Sequence, residues 1–365
     1  MTRSPRQRRR AQQQAEIERR ARLASAELGV ELADVDPLWT RSLRVVLLGR
    51  TKRRLDGGLA RSVRMIQADL GSLGNSVVLQ SCNEPLAEEH LDGADLVWHY
   101  GDEQHLEQQR RVCAKRGVPL LVNSLFDGTV DREVSIERRA EGTDDYFVVF
   151  TEGARDRLSA VPRHRLVVLP KTVRSLEADG EELYLGSRRG ICIGELAKLR
   201  RERLVHGIDV CEVVQAIRRV LPTEPILTYG QYTTKEHLPF EHTQNIPKPG
   251  DGMSEFIRSL RLCICLTAWE TYSMVPAEAQ SVGVPVIYRR MPQSLSEHIG
   301  ITGVAANSAE EVAMAAYRLL SSPVTWRHYA NAGLLNHASR ARPAAALAMD
   351  MELRRLLMRR RKGCT

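Results

Sequence analysis

Short apolar runs of the kind that form buried strands alternate with helical patterns from residue 43 to residue 169. Two of the helical patterns, 59–71 and 105–116, carry apolar residues at helical spacing. This alternation is typical of parallel strands joined by helices, and it predicts a sheet that helices cover on both faces. The predicted strands are 43–48, 76–79, 95–99, 119–122, 146–150 and 166–169.

The alternation starts again after a polar segment, 171–187, which we interpret as a linker. We therefore expect an α/β protein with two Rossmann-like domains in tandem, facing one another. Ligands of open α/β sheets bind at the carboxyl ends of the strands, so we expect the ligand in the cleft between the domains. The second series comprises strands 190–193, 226–229, 262–266 and 285–288, and helices 208–220, 254–260, 274–281 and 309–320.

Composition narrows the class of protein. The chain has 365 residues, of which 43% are hydrophobic and 27% charged, so disordered, collagen-like and disulfide-rich secreted chains are excluded. No apolar run approaches the roughly 18 residues that span a bilayer, and we expect a cytoplasmic protein without a transmembrane segment. Cys263 and Cys265 lie two residues apart in an apolar strand, without a nearby His or Cys cluster. We interpret them as buried thiols and expect no metal site.

Positive charge is concentrated at the two ends of the chain. The net charge is +8, whereas residues 1–29 and 351–365 each carry +5, which leaves −2 for the remainder. Both ends have helical patterns, and the second places Leu353, Leu356, Leu357 and Met358 among its arginines. One interpretation is a grip on nucleic acid or another anionic surface. The interpretation we favour is a solvated helical extension at the first end and a docking helix at the second, because no aromatic residues interleave the charges.

The segment 262–287 carries the most specific chemistry. It predicts a strand, a short loop containing Glu270, a helix with Pro276 in its first turn, and a turn at Gly283. The amides of 271–275 would then point out of a helix N-terminus, where the macrodipole favours an anion such as a diphosphate. Glu278 lies about one turn into the helix, where it can accept hydrogen bonds from ribose hydroxyls, while Glu270 can reach a transferred sugar. Spacing alone is weak evidence, since Glu133 and Glu141 share it in a polar segment.

These motifs resemble the retaining nucleotide-sugar glycosyltransferases of the GT-B fold, most closely glycosyltransferase family four. The resemblance extends over most of residues 42–335. The segment Trp269-Glu270-Thr-Tyr-Ser-Met is similar to the family's Glu-Gly-Phe-Gly run, and 278–286 is similar to its Glu-Ala-Met-Ala-Cys-Gly-Xaa-Pro-Val segment. Residues 56–61 and 70–77 look like its first glycine loop and helix, and 291–299 looks like its Gly-Gly-Xaa-Xaa-Glu loop.

The resemblance implies a role for each matched residue. Glu270 would contact the donor hexose, and Glu278 the ribose. The segment Thr271, Tyr272, Ser273 and Met274 would bind the sugar and the phosphates through its amides. Gly57 and Gly58 would let the backbone approach the diphosphate where a Cβ would intrude; an ordinary tight turn is the alternative.

The chain departs from the family pattern where the family has cations. Glu195 occupies the position of an arginine that pairs with the donor phosphates, and His206 occupies that of a lysine. Either Lys198, Arg200 or Arg203 supplies the positive charge instead, or donor binding is lost. A solvated helix face is the plain alternative for these cations.

The family's histidine after the fourth strand is also absent from 122–128. Either Asp127 or Asn123 takes its place, or the acceptor is held differently. His99, which ends the preceding strand, is another candidate, although a lone histidine there is more often structural.

We therefore expect a retaining glycosyltransferase that moves a sugar from a nucleoside-diphosphate sugar to a hydroxyl acceptor of unknown identity, without a cofactor. Two alternatives stay open: a catalytically inactive GT-B scaffold or binding protein, and a DNA-base-modifying glycosyltransferase that uses its basic arms. The expected organisation is a basic helical extension (1–40), an acceptor domain (41–175), a nucleotide-sugar donor domain (176–345) and a basic helix that crosses back onto the acceptor domain (346–365).

Overall fold

The computed structural model divides the chain into two compact units, Met1–Thr172 with Arg342–Thr365 and Val173–Ala341. The structure describes residues 5–29, 31, 34–49, 58–101, 104–123, 132–171, 173, 176, 185–195, 209–229, 243–246, 252–266, 274–290, 294–339 and 342–363. In this part of the chain, no helix is long and apolar enough to cross a membrane.

The first unit is built on a parallel sheet of six described strands in the order β2-β1-β3-β4-β5-β6. The strands are β1 (Arg44–Gly49), β2 (Ser76–Ser81), β3 (Leu96–Tyr100), β4 (Leu120–Val122), β5 (Tyr146–Val149) and β6 (Leu166–Val168). Its helices are α1 (Pro5–Leu28), α2 (Gly58–Ser72), α3 (Leu106–Arg116), α4 (Arg132–Ala140), α5 (Glu152–Arg157) and the C-terminal α12 (Arg342–Arg361).

The strands read as continuous apolar runs because both faces of the sheet are covered. Alternate residues of β1 enter different clusters: Val45 and Leu47 pack with α2 and α12, and Val46 and Leu48 pack with α3. The central strands β3 and β4 are buried along their whole length. The first sheet therefore packs against an apolar layer of helix side chains on each of its two faces.

The second unit repeats this plan with six described parallel strands in the order β12-β11-β10-β7-β8-β9. The strands are β7 (Ile191–Glu195), β8 (Ile226–Tyr229), β9 (Thr243–Ile246), β10 (Leu262–Cys265), β11 (Val286–Tyr288) and β12 (Val304–Ala305). The helices are α6 (Val210–Val220), α7 (Met253–Ser259), α8 (Met274–Ser281), α9 (Ser294–Ile299), α10 (Ala309–Ser321) and α11 (Pro323–Ser339).

The α/β class and the parallel sheets expected from the sequence are confirmed. All ten predicted strands are present, with ends within two residues of those expected. The expected buried thiols are also found: Cys263 and Cys265 are both buried on β10, and the buried Cys192 lies opposite Cys263 on β7. A hydrogen bond between the two thiols and their burial raise the pKa of Cys263 well above its usual value.

A buried ion cluster ties both ends of the chain to the first unit. Asp350 of α12 accepts hydrogen bonds from Arg20 of α1 (2.6 Å), from Arg354 one turn along α12 (3.0 Å) and from Asn75 before β2 (2.7 Å). Arg354 also donates to the carbonyls of Leu38 and Arg41. Asp350 and Arg354 are completely buried, and burial lowers the pKa of Arg354. One buried carboxylate thus pairs with two buried guanidinium groups from different helices.

The basic termini are therefore built into the unit by specific contacts. On the other side of α12, Arg355 pairs with both Glu27 of α1 and Glu352 of its own helix. Arg361 lies 3.8 Å from Asp36, and Arg360 donates to the Gly117 carbonyl. The described part of α12 thus docks on the unit through Leu353, Leu356 and Leu357, and partners occupy several of its cations.

Carboxylates also fix the amino end of the first sheet. Asp95, just before β3, accepts hydrogen bonds from the Arg41 guanidinium (2.9 Å) and from the Arg44 amide (2.9 Å). Burial by itself would raise the pKa of Asp95, but the bonds from Arg41 and Arg44 outweigh it and lower the pKa. Asp145, before β5, shows the opposite balance: its burial raises its pKa in spite of a 2.5 Å bond from Arg110.

Replacing Asp350 by Asn should leave Arg20 and Arg354 buried without their counter-charge. We expect the free energy of unfolding to fall by about 3 to 5 kcal/mol, as when one partner of a buried ion pair is removed. The matched control is Glu352→Gln on the same helix, whose partly exposed pairs contribute about 1 kcal/mol or less. Urea denaturation measures both variants, and equal losses in the two would contradict a stabilising role of the buried cluster.

The contribution of Asp95 to stability should depend on pH. Because its pKa is lowered in the folded state, its contribution is complete above the unfolded value of about 3.9 and is lost as the pH falls through the folded value. The free energies of unfolding of wild type and Asp95→Asn should therefore differ by a constant amount between about pH 5 and 8 and converge in acid. With Arg41→Leu in the background, most of the convergence should disappear; convergence that persists unchanged would show that Arg41 is not the cause.

Candidate functional site

The carboxyl ends of the second sheet bring the candidate groups of that unit to one edge. Since its strands are parallel, β7, β8, β10 and β11 all end there, at Glu195, Tyr229, Cys265 and Tyr288. Helix α8 follows β10 in the chain and packs on β10 and β11. This edge is where open α/β sheets bind ligands.

Helix α8 has the ends that the sequence predicts. It begins at Met274 and holds Pro276 in its first turn, where a missing N–H costs nothing. It ends in a Schellman motif: Gly283 has φ +65°, its N–H donates to the Gln280 carbonyl (3.1 Å), and the Val284 N–H donates to the Ala279 carbonyl (2.9 Å). The amino end of α8 therefore lies near the carboxyl ends of the strands, with its dipole positive there.

Glu278 lies one turn into α8 with only 2% of its surface exposed. The helix around it is held by polar contacts. Gln280 donates to Thr302 (2.9 Å) and accepts from Asn336 of α11 (3.0 Å), and the Ser281 hydroxyl accepts from the Leu176 amide (3.2 Å). A buried carboxylate on a helix fixed in this way is in place before a ligand arrives, which lowers the entropy cost of binding.

The structure describes three of the predicted site residues. Gly58 is the first residue of α2, Met274 is the first residue of α8, and Glu278 is buried in α8. The other predicted site residues lie outside the described residues: Gly57, Asp127, Lys198, Arg200, Arg203, Glu270, Thr271, Tyr272 and Ser273. Their roles stay predictions.

Glu195 ends β7 at the point where the resemblance leads one to expect an arginine. Gly194, with φ +120°, precedes it, and the register of β7 against β8 shifts between Cys192 and Glu195. Glu195 aligns with Tyr229 at the end of β8. A glutamate therefore ends β7, the strand beside β10, at the sheet edge where the amino end of α8 lies.

Sequence reasoning missed a cation at this edge. Arg289 follows β11 directly, and its N–H donates to the carbonyl of Cys265, the last residue of β10 (3.1 Å). The Arg289 backbone therefore lies beside the strand that leads to α8. The only sequence signal is its position, the first residue after a buried apolar run.

In the first unit, the carboxyl end of the sheet is closely packed. A Cβ on Gly49 would lie 2.6 Å from Val63 of α2, and one on Gly101 would lie 2.3 Å from the Cys82 sulfur. His99 is fully buried, with Nδ1 2.8 Å from Gln109 Oε1 and Nε2 3.2 Å from the Gly101 carbonyl. Both ring nitrogens of His99 therefore have partners in the described part of the first unit, which fits its structural interpretation. Asn123 is also buried, and its N–H donates to the His99 carbonyl (2.8 Å).

A family model and several solved structures match this chain. Residues 194–322 match the model described as glycosyl transferases group 1. This segment contains the end of β7, helix α8 and both Glu270 and Glu278. No curated protein sequence matches the chain.

Three solved structures illustrate the likeness. A glycosyltransferase from Rickettsia africae ESF-5 aligns with a TM-score of 0.65 at 12% identity over 87% of this chain and 99% of its own. Anabaena Alr3699/HepE, solved in complex with UDP-glucose, gives 0.62 at 12% identity over 85% and 98%. Sucrose-phosphate synthase (tll1590) from Thermosynechococcus elongatus gives 0.61 at 14% identity over 89% and 100%.

Identities this low show a shared fold, and the family model adds the domain on which the candidate site lies. The chain therefore has the GT-B fold of the glycosyltransferases and carries a glycosyl transferases group 1 domain over residues 194–322.

Proposed function

We propose that the protein is a retaining glycosyltransferase that moves a sugar from a nucleoside-diphosphate sugar to a hydroxyl acceptor. The observation that carries the proposal is helix α8. Its amino end lies near the carboxyl ends of β10 and β11, and a buried carboxylate, Glu278, lies one turn inside. This arrangement suits a diphosphate at the helix end and ribose hydroxyls beside the carboxylate. The group 1 family model covers the same segment, and Anabaena HepE was solved in complex with UDP-glucose.

Donor binding is assigned to groups of the second unit and of the glycine loop. The amides from Thr271 to Met274 bind the phosphates and the sugar, and Glu278 accepts hydrogen bonds from the ribose. Glu270 hydrogen-bonds the transferred hexose. Gly57 and Gly58 bring backbone close to the diphosphate, and Lys198, Arg200 or Arg203 adds positive charge. These donors are amides and cations, so the proposal requires neither a metal nor another cofactor.

The proposed chemistry needs no covalent intermediate. The bond between the anomeric carbon and the diphosphate oxygen breaks while the acceptor oxygen forms its bond on the same face. The acceptor proton passes to the departing phosphate, which is the base closest to that face. Glu270 stabilises the positive charge that develops on the sugar ring. Asp127 is assigned to the acceptor side, in the place of the family's histidine.

One observation favours a second candidate, a GT-B protein that binds without transferring. Glu195 ends β7 where the resemblance implies a phosphate-binding arginine, and a carboxylate there repels a diphosphate. The two candidates make different predictions for the same purified protein, because only the enzyme turns a donor over.

The test is turnover of the donor by the full-length protein. Incubation with UDP-, GDP- and ADP-sugars, followed by mass spectrometry, should show release of one nucleoside diphosphate. Glu270→Gln and Glu278→Gln should each lower kcat/KM by about 100-fold or more, since each removes a contact to the reacting donor.

The matched control is Glu141→Gln. Glu141 forms the other pair at the same spacing, together with Glu133, and it is exposed beyond α4. Its kcat/KM should equal that of the wild type. Calorimetric binding of a sugar nucleotide without any turnover would favour the binding protein, and the absence of binding by all three classes would contradict both candidates.

A further inference from the structure

Arg289 is a half-buried cation whose charge has no partner in the described structure. Its Nη1 atom is buried, and no described residue accepts a hydrogen bond from any nitrogen of its guanidinium group. Arg20 and Arg110, by contrast, each have one buried nitrogen without a partner but pair with a carboxylate through another. Arg44 shares the condition of Arg289, but it lies at the amino end of the first sheet. Partial removal of a charged group from water without a partner costs folding free energy. At the carboxyl edge of a parallel sheet, where ligands bind, such an arginine suggests a ligand that supplies the missing acceptor.

The position of Arg289 indicates which ligand. Its N–H donates to the Cys265 carbonyl, and its own carbonyl accepts from the Ser296 hydroxyl (3.1 Å), so its backbone is fixed at the end of β11. Helix α8 packs on β10 and β11, and its amino end lies toward the same edge of the sheet. The backbone therefore places Arg289 at the sheet edge where an anion at that helix end would lie.

The charge pattern of this edge supports the same assignment. Strand β7 lies on one side of β10 and β11 lies on the other. The cation implied after β7 is replaced by Glu195, whereas the residue after β11 is Arg289. Neighbouring strands lie about 4.8 Å apart, so the two positions are about 10 Å apart, within reach of an arginine side chain acting on a ligand between them.

We propose that Arg289 binds the diphosphate of the donor and supplies the charge that Glu195 does not. This inference rests on the proposed function. The guanidinium group has five donors in a planar fork, which matches the oxygen atoms of a phosphate, and a charge-assisted pair of this kind is stronger than a neutral hydrogen bond. Arg289 is a binding residue here, with no role in proton transfer.

A structural role and a ligand-binding role predict opposite effects on the free protein. If Arg289 stabilised the fold, Arg289→Met would lower the denaturation midpoint. If its charge is free to bind a ligand, the apolar methionine removes a half-buried guanidinium group that has no partner among the described residues, and the midpoint should stay unchanged or rise. The neighbouring Arg290→Met is the matched control, because Arg290 is exposed and its contact is the backbone N–H to Asn307 (3.1 Å).

The experiment compares diphosphate and nucleoside binding by isothermal titration calorimetry. The probes are UDP, GDP and ADP, each with uridine, guanosine or adenosine as its phosphate-free partner. For the diphosphate that the wild type binds, Arg289→Met should weaken affinity about 10- to 100-fold, as expected for loss of a charge-assisted bond, and should leave nucleoside affinity unchanged. Arg289→Lys should recover part of the loss, and Arg290→Met should match the wild type.

The outcomes separate this inference from the function on which it rests. If the wild type binds a diphosphate and Arg289→Met binds it equally well, the inference is wrong and the proposed function stands. Equal weakening of diphosphate and nucleoside, or a lowered denaturation midpoint, would show a structural role and would also overturn it. A wild type that binds none of the three diphosphates contradicts the proposed function together with this inference.

Discussion

The parallel direction of every described strand is the constraint on which the functional interpretation depends. Parallel strands are joined by crossover helices that cover both faces of the sheet, so the strand side chains pack in the core. Functional groups are therefore expected at the carboxyl ends of the strands. In the second unit this places Glu195, Cys265 and Tyr288 at one edge, together with the amino end of α8. The positive end of the α8 dipole thereby lies at the carboxyl ends of these strands.

The buried cluster around Asp350 shows how the ends of the chain are specified. Arg20, Arg354 and Asn75 come from three distant parts of the sequence and share one carboxylate. The high charge of both termini suggested free basic arms as one interpretation, because composition does not distinguish a paired arginine from an exposed one. Deletion of residues 1–29 would remove Arg20 and with it a buried ion pair to Asp350. A test of nucleic-acid binding therefore requires substitutions at Arg19 and Arg22, which are exposed, rather than truncation.

Most of the fold was predictable because the pattern of apolar residues along the chain indicates which segments are buried. The strands that were missed are those without such a pattern. Strand β9, Thr243–Ile246, lies at the edge of its sheet and has a polar sequence, Thr-Gln-Asn-Ile, so it lacks the apolar run by which the other strands were recognised. Strand β12 has two residues, which is too short for any pattern. Helix α8 was predicted to the residue because Pro276 and Gly283 mark its two ends by backbone chemistry that tertiary contacts do not override.

The candidate site was less predictable, and Arg289 shows why. Glu278 was found from a motif, that is, from residues whose spacing repeats across a family. Arg289 belongs to no motif, and its significance arises because no described residue accepts a hydrogen bond from its buried guanidinium nitrogen, which only the folded structure reveals. The sequence already showed Glu195 in the place of a phosphate-binding arginine. A donor site there therefore requires its positive charge to come from another residue. The predicted substitutes, Lys198, Arg200 and Arg203, were sought along the same loop, whereas a parallel sheet allows compensation from any strand that ends at the same edge. If Arg289 binds the diphosphate as proposed, the charge at such a site belongs to the edge as a whole, and a search for it has to follow strand order as well as chain order.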